Sequence, residues 1–145
     1  MYKKILVPLD GSELSESVLL HAVALAKLAD AEIVLFRVVT VPVNSFMVVT
    51  EPQLAVDLRE DADAEAIEYL NGITAKLHAE GINASAEIGS GVIAGTIQDC
   101  AKNVHADLIA MSTHGRGGLA RLMIGSVADQ LVRDSHLPVL LIRPQ

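Results

Sequence analysis

Short apolar runs of strand length alternate with longer segments of helical period along the whole of this chain. Lys4–Leu9 is apolar and rich in branched side chains and predicts a buried strand, which Pro8-Leu9-Asp10-Gly11 brings to an end. Ser12 then stands where a helix wants an N-cap, with Glu13 and Glu16 near the positive end of the helix dipole. Leu14, Val18, Ala22, Leu25 and Leu28 recur at steps of three and four, which predicts one buried helix face. Ala31–Val41 predicts a second strand closed by Pro42, and Val43–Pro52, without clear period, predicts a loop. Gln53–Glu80 predicts the longest helix, with Leu54, Leu58, Ala62, Ala66, Leu70, Ile73 and Leu77 as its core stripe and Gly81 closing it. Ile82–Ile88 predicts a third strand, and Gly89-Ser90-Gly91 turns the chain into a helix near Val92–Val104. A fourth strand is expected at Asp107–Met111, a glycine-rich loop at Ser112–Leu119, a helix at Ile124–Asp134 and a last strand at Val139–Ile142.

Strands separated by helices imply parallel pairing, because a parallel return needs a crossover, and that crossover is right-handed. The expected fold is therefore α/β, an open five-stranded parallel sheet with helices on both faces. No internal repeat or linker divides the chain, so residues 1–145 are expected to form a single domain. Ligands of such sheets bind outside the carboxyl ends of the strands, where the strand order reverses. Four loops qualify: Pro8–Ser12, Val38–Pro42, Gly89–Gly91 and Ser112–Ser126.

Composition sharpens this picture. With 51% hydrophobic residues but only two Phe, two Tyr and no Trp, the core must be aliphatic. Cys100 is the single cysteine, so no intramolecular disulfide is possible, and its neighbours Asp99 and Asn103 supply no cation to favour a thiolate; core filling is its expected role. The opening Met1-Tyr2-Lys3-Lys4 leads into an apolar run that Pro8 and Asp10 interrupt, and no stretch approaches about 18 apolar residues. A cytoplasmic protein that does not engage membranes is the expectation. A net charge of −7 argues against a nucleic-acid partner. Between Glu51 and Glu68 seven acidic residues (Glu51, Asp57, Glu60, Asp61, Asp63, Glu65 and Glu68) face Arg59 alone, whereas Arg116, Arg121, Arg133 and Arg143 outnumber Asp129 and Asp134 after Thr113. An anion meets the weaker repulsion near the C-terminus.

The chemistry concentrates in Ser112-Thr113-His114-Gly115-Arg116-Gly117-Gly118, followed by Gly125-Ser126 at the start of a helix. Glycines let backbone amides approach an anion, and a helix N-terminus adds unpaired N–H groups and a favourable dipole, so the combination suits a phosphate. A flexible turn followed by an ordinary cap would have the same residues. No G-x-x-x-x-G-K-[ST] run and no G-x-G-x-x-G is present, which removes a P-loop NTPase and a Rossmann dinucleotide site. Asp10 at a strand end is placed either to accept hydrogen bonds from sugar hydroxyls or assist a divalent cation, or to form a turn with Gly11. Arg116 and Arg121 are candidates to neutralise phosphates, and His114 either donates to a phosphate or packs within the loop. His21, His78, His105 and His136 are scattered at no ligand spacing.

Together, Lys3-Lys4-Ile5-Leu6-Val7-Pro8-Leu9-Asp10-Gly11-Ser12, the run Asp107–Leu119, Leu122–Ala128 and Pro138–Arg143 resemble the universal stress protein family over essentially the whole chain. The resemblance implies an adenine-nucleotide α-hydrolase-like sheet of order 3-2-1-4-5. It implies ATP as ligand, with Mg²⁺, and homodimerisation through strand 139–143. In the ATP-binding branch a glycine, two residues, a second glycine, nine residues, a third glycine and Ser or Thr recur; here Gly115, Gly125 and Ser126 match, and Ser112 takes the first glycine position. By resemblance Asp10 sits beside the ribose and adenine, Val38 offers backbone hydrogen bonds to the adenine edge, and Gly115, Gly125, Ser126 and Val127 surround the phosphates. Pro8, Met111, Ser112, His114, Arg116 and Gly118 are further candidates for the nucleotide site.

Three functions fit these residues. The first is an ATP-binding, dimeric stress-response sensor or regulator. A second is a family scaffold that does not bind nucleotide, which Ser112 favours. The third is a slow ATPase or phosphotransferase using Asp10 with a metal, although no carboxylate pair or Ser/His/Asp set stands out in chain order.

Overall fold

The computed structural model of the chain describes residues 1–114 and 124–144. Five strands, β1 (Lys4–Pro8), β2 (Glu32–Val38), β3 (Ala84–Gly89), β4 (Leu108–Ser112) and β5 (Val139–Ile142), pair in parallel in the order β3-β2-β1-β4-β5. The parallel pairing is the one the alternation of strands and helices predicts, and the order is the one the family resemblance implies. β1 lies in the middle, with Leu6 opposite both Val34 of β2 and Ile109 of β4. The chain moves outward from β1 in both directions, so the strand order reverses between β1 and β4.

Alternation along the strands builds two cores. Ile5, Val7, Ile33, Leu35, Leu108 and Ala110 face one side, where they meet Ala22 and Ala26 of α2 (Leu19–Ala29) and Leu70, Ile73 and Leu77 of α4 (Pro52–Ala79). Leu6, Val34, Phe36, Ile109 and Met111 face the other, against Ile97, Cys100 and Ala101 of α5 (Ile93–Asn103) and Ala128 and Leu131 of α6 (Ser126–Asp134). Central strands covered on both faces need apolar side chains in both registers, which is why they read as continuous apolar runs.

Several boundaries differ from expectation for local reasons. The first predicted helix is two: α1 (Glu13–Glu16), capped by the Ser12 side chain accepting from Ser15 N–H at 3.1 Å, and then α2. At the break the Ser17 hydroxyl donates to the Leu14 carbonyl at 2.7 Å and competes with the helical pattern. The buried positions are consequently Val18, Ala22 and Ala26, while Leu28 is 87% exposed. On α4 the stripe from Ala66 to Leu77 is buried as predicted, but Leu54 is exposed and Ala55 is buried instead. Gly81 follows the end of α4 with φ +79°, and its N–H donates to the His78 carbonyl at 2.9 Å. β2 ends at Val38 rather than Val41, and the predicted loop 43–52 contains α3 (Ser45–Thr50), started by the Asn44 side chain, which accepts from Met47 N–H at 2.8 Å. A cap overrides the missing period because six residues are too few to show one.

Candidate functional site

At the reversal point a cleft of about 510 Å³ opens over the carboxyl ends of β1, β2 and β4. Pro8 and Asp10 line it from β1, Val38 from β2, and Met111, Ser112 and His114 from β4. Gly125, Ser126 and Val127 complete it at the start of α6. The site residues predicted within 1–114 and 124–144 thus come together in one cavity. Gly115, Arg116 and Gly118, with Arg121, lie outside the described residues. Of the four loops expected to matter, Gly89–Gly91 contributes nothing to the lining, but Ile93 and Ile97 of the helix after it do.

Gly125 sets the position of α6. Its N–H donates to the Thr113 carbonyl at 2.7 Å, and an added Cβ would stand 2.8 Å from that same oxygen. This hydrogen bond starts α6 at Ser126 instead of the predicted Ile124. Among the described residues no side chain caps α6, and its first intrahelical amide bond runs from Asp129 N–H to the Gly125 carbonyl at 2.9 Å. The N–H groups of Ser126, Val127 and Ala128 precede that bond, and these three residues line the cleft.

Val38 is placed by strand parity. The N–H groups of Ile33 and Val39 donate to β3-side carbonyls, of Asn83 and Gly89, whereas that of Glu32 donates to Lys3 ahead of β1. Even residues of β2 therefore turn their N–H and C=O toward β1. Pairing with β1 stops where Leu9 N–H donates to the Phe36 carbonyl at 2.8 Å, so the peptide groups of Val38 lie one step past it, at the cleft.

Asp10 makes the turn and lines the cleft as well. Its Oδ1 accepts from Ser12 N–H at 2.9 Å and from the Ser12 hydroxyl at 2.5 Å, an arrangement that holds the carboxylate still. Ser112 is buried, and its hydroxyl donates to the His114 carbonyl at 2.7 Å while accepting from His114 N–H at 3.3 Å. Ser112 thus ties down the His114 peptide. His114 Nδ1 pairs with the Thr113 hydroxyl at 3.0 Å, leaving Nε2 as a buried polar atom with no partner among the described residues. Ser15, His114 and Asp10 all line the cleft, where the Ser15 hydroxyl donates to the Ser12 carbonyl at 2.9 Å and accepts from the Asp10 N–H at 3.3 Å.

Arg37 is a lining residue that the sequence analysis does not single out. Its guanidinium lies 5.2 Å from the centroid of the Tyr69 ring and forms no ion pair among the described residues. A cation at the end of an otherwise apolar strand was the available signal. Burial, and then the nearby Glu16 carboxylate, push the Tyr69 phenol above its ordinary value, although its hydroxyl has no well-formed hydrogen bond. No group of three or more His, Cys, Asp or Glu among the described residues is placed to hold a metal ion, and no helix among them is long and apolar enough to cross a membrane.

An open parallel α/β protein with a helix start lining a cleft at the strand-order reversal is the class that this fold and cleft define. The universal stress protein family model matches residues 1–143, and the chain belongs to that family. Universal stress protein MJ0531 of Methanocaldococcus jannaschii is 34% identical over 146 residues, covering 99% of this chain and 83% of the relative. The structure of MJ0577, a universal stress protein of the same organism, superposes with a TM-score of 0.85 at 28% identity and covers 100% of this chain and 98% of its own. An Arabidopsis thaliana family member solved with AMP bound shares the fold at 21% identity and a TM-score of 0.69, covering 99% of this chain and 92% of its own. A universal stress protein in complex with cAMP does so at 20% and 0.62, covering 99% and 98%.

Proposed function

We propose that this universal stress protein binds ATP in the cleft and acts as a nucleotide-dependent dimeric sensor or regulator. The observation that carries the proposal is the start of α6, without a side-chain cap among the described residues, where Ser126–Ala128 line the cavity and Gly125 is locked against Thr113. Phosphates satisfy those amides, and the buried Nε2 of His114 is a further hydrogen-bonding atom in the same wall. The N–H and C=O of Val38 match the donor and acceptor edge of an adenine, and Asp10 accepts from ribose hydroxyls. The AMP and cAMP complexes of distant family members favour an adenine nucleotide over other anions.

Mg²⁺ enters with the nucleotide in this proposal. It keeps most of its waters and is commonly held by phosphates with one or two carboxylates, so the single strand-end carboxylate of Asp10 fits that role without a protein cage. When bound, the ion neutralises phosphate charge. Asp10 orients the sugar, the α6 amides hold the phosphates, and Ser112 keeps the His114 peptide in place. Isothermal titration of nucleotide-free protein with ATP and Mg²⁺ is expected to show one site per chain. Absence of heat and of displaceable nucleotide would leave the scaffold function in its place.

A further inference from the structure

Between β2 and α4 the protein displays apolar surface that its core does not use. α3 reads Ser-Phe-Met-Val-Val-Thr, yet none of its residues is buried; Phe46 is 75% and Val49 80% exposed. Val48, and Leu54 and Val56 at the start of α4, are exposed too. Local polar bonds hold α3 as a helix: the Asn44 cap, and the Thr50 hydroxyl donating to the Phe46 carbonyl at 2.7 Å. Exposed apolar side chains gathered within eleven residues mark an interaction surface.

The surrounding charge selects the partner. Glu51, Asp57, Glu60 and Asp61 are exposed beside this patch, and none is in an ion pair among the described residues. Asp57 accepts only from the Gln53 side chain, at 2.9 Å. Positions 54, 57, 61, 65 and 68 recur at three and four, so Leu54, Asp57, Asp61, Glu65 and Glu68 share one side of α4, and Glu65 reaches the cleft wall. Such a field repels anionic headgroups, nucleic acid and the same surface on a second copy. It attracts a chain that sets Lys or Arg beside apolar residues.

We propose that the α3–α4 elbow docks a basic amphipathic helix of a partner protein. Phe46 and Val49 insert into the apolar face of that helix, and the α4 carboxylates meet its cations. Thr40 and Glu65, which flank the elbow in sequence, both line the cleft, so the docking surface is joined to the site by a short length of chain. Docking itself does not depend on what the cleft holds.

The test uses the full chain and a labelled Lys/Leu helix of about 18 residues with its leucines at helical spacing. Fluorescence anisotropy is expected to show binding that weakens with salt, and no binding of a Glu/Leu helix of the same pattern. Phe46→Ser with Val49→Ser, and separately Asp57→Asn with Glu60→Gln and Asp61→Asn, should each lower affinity by about tenfold or more. Leu20→Ser with Leu28→Ser, which removes apolar surface on α2, should leave it unchanged. Equal affinity after the Phe46/Val49 change, or equal loss after the α2 change, overturns the proposal in favour of general attraction to an acidic protein. Flotation with phosphatidylglycerol vesicles that depends on Phe46, or a Phe46-dependent dimer in sedimentation, overturns it in favour of a membrane or a second copy.

Discussion

Gly125 is demanded by its surroundings rather than by its backbone angles, since its φ of −59° suits any residue. The obstacle is a carbonyl oxygen of the main chain, which cannot swing aside as a flexible side chain can. Gly125→Ala is therefore expected to cost about 1–3 kcal/mol, lower the melting temperature by several degrees and weaken ATP by about tenfold as the start of α6 shifts. Titration and thermal unfolding of the variant check this, and unchanged values for both would refute the placement of α6. Arg37→Leu keeps the packing against Tyr69 but removes the charge, so ATP affinity should fall by about two- to fivefold with the melting temperature nearly unaltered. An affinity equal to wild type would show that the guanidinium does not reach the ligand.

Cys100 illustrates how burial becomes a pH dependence. Burial, with the Glu87 charge adding to it, pushes the thiol from 9.0 to about 11. Between these values the unfolded chain gives up a proton that the folded chain keeps, so stability present below pH 9 is lost as pH rises toward 11. Urea unfolding at pH 8, 9 and 10 should show a steeper decline for the native protein than for Cys100→Ala. Parallel declines would mean that the thiol titrates alike in both states. Native protein at pH 8 should likewise resist thiol reagents until denatured.

At the scale of elements, long segments were legible and short ones were not. The twenty-eight residues of α4 repeat the apolar period often enough to be read, and the alternation in β2 is buried on both faces as its composition requires. α3 has too few residues for any period, and the α1–α2 break depends on one serine hydroxyl finding a carbonyl one turn back. Within the site, Asp10, Ser112, Gly125 and Ser126 could be found because small, polar and glycine residues cluster at strand ends. Arg37 carried only the weak signal of a cation at a strand end, and its setting depends on Tyr69, thirty-two residues further along the chain but adjacent in space.

For the whole molecule, the sheet leaves β5 at one edge with its four residues half-buried. Carbonyls of Pro138 and Ile142 accept from Ile109 and Thr113, so even residues of β5 pair with β4 and the odd ones turn their N–H groups outward. Pairing of two chains through strand 139–143 would use those outward groups. Leu141→Pro removes one of them without touching the β4 ladder, and is expected to convert a dimer to a monomer in sedimentation velocity while the fold is retained. A variant that still sediments as a dimer would place the subunit contact elsewhere.

The amino-acid pattern by itself determined the parallel sheet, the alternation of strands and helices, and the loops at the strand ends, because period and punctuation are properties of neighbouring residues. Only the tertiary structure decided that the Thr113 carbonyl would fix the start of α6, that Val38 would turn its peptide groups past the end of β1, and that Arg37 would rest on Tyr69. Each of these joins residues from different elements. Their meeting depends on strand order and register, which no local run of side chains encodes.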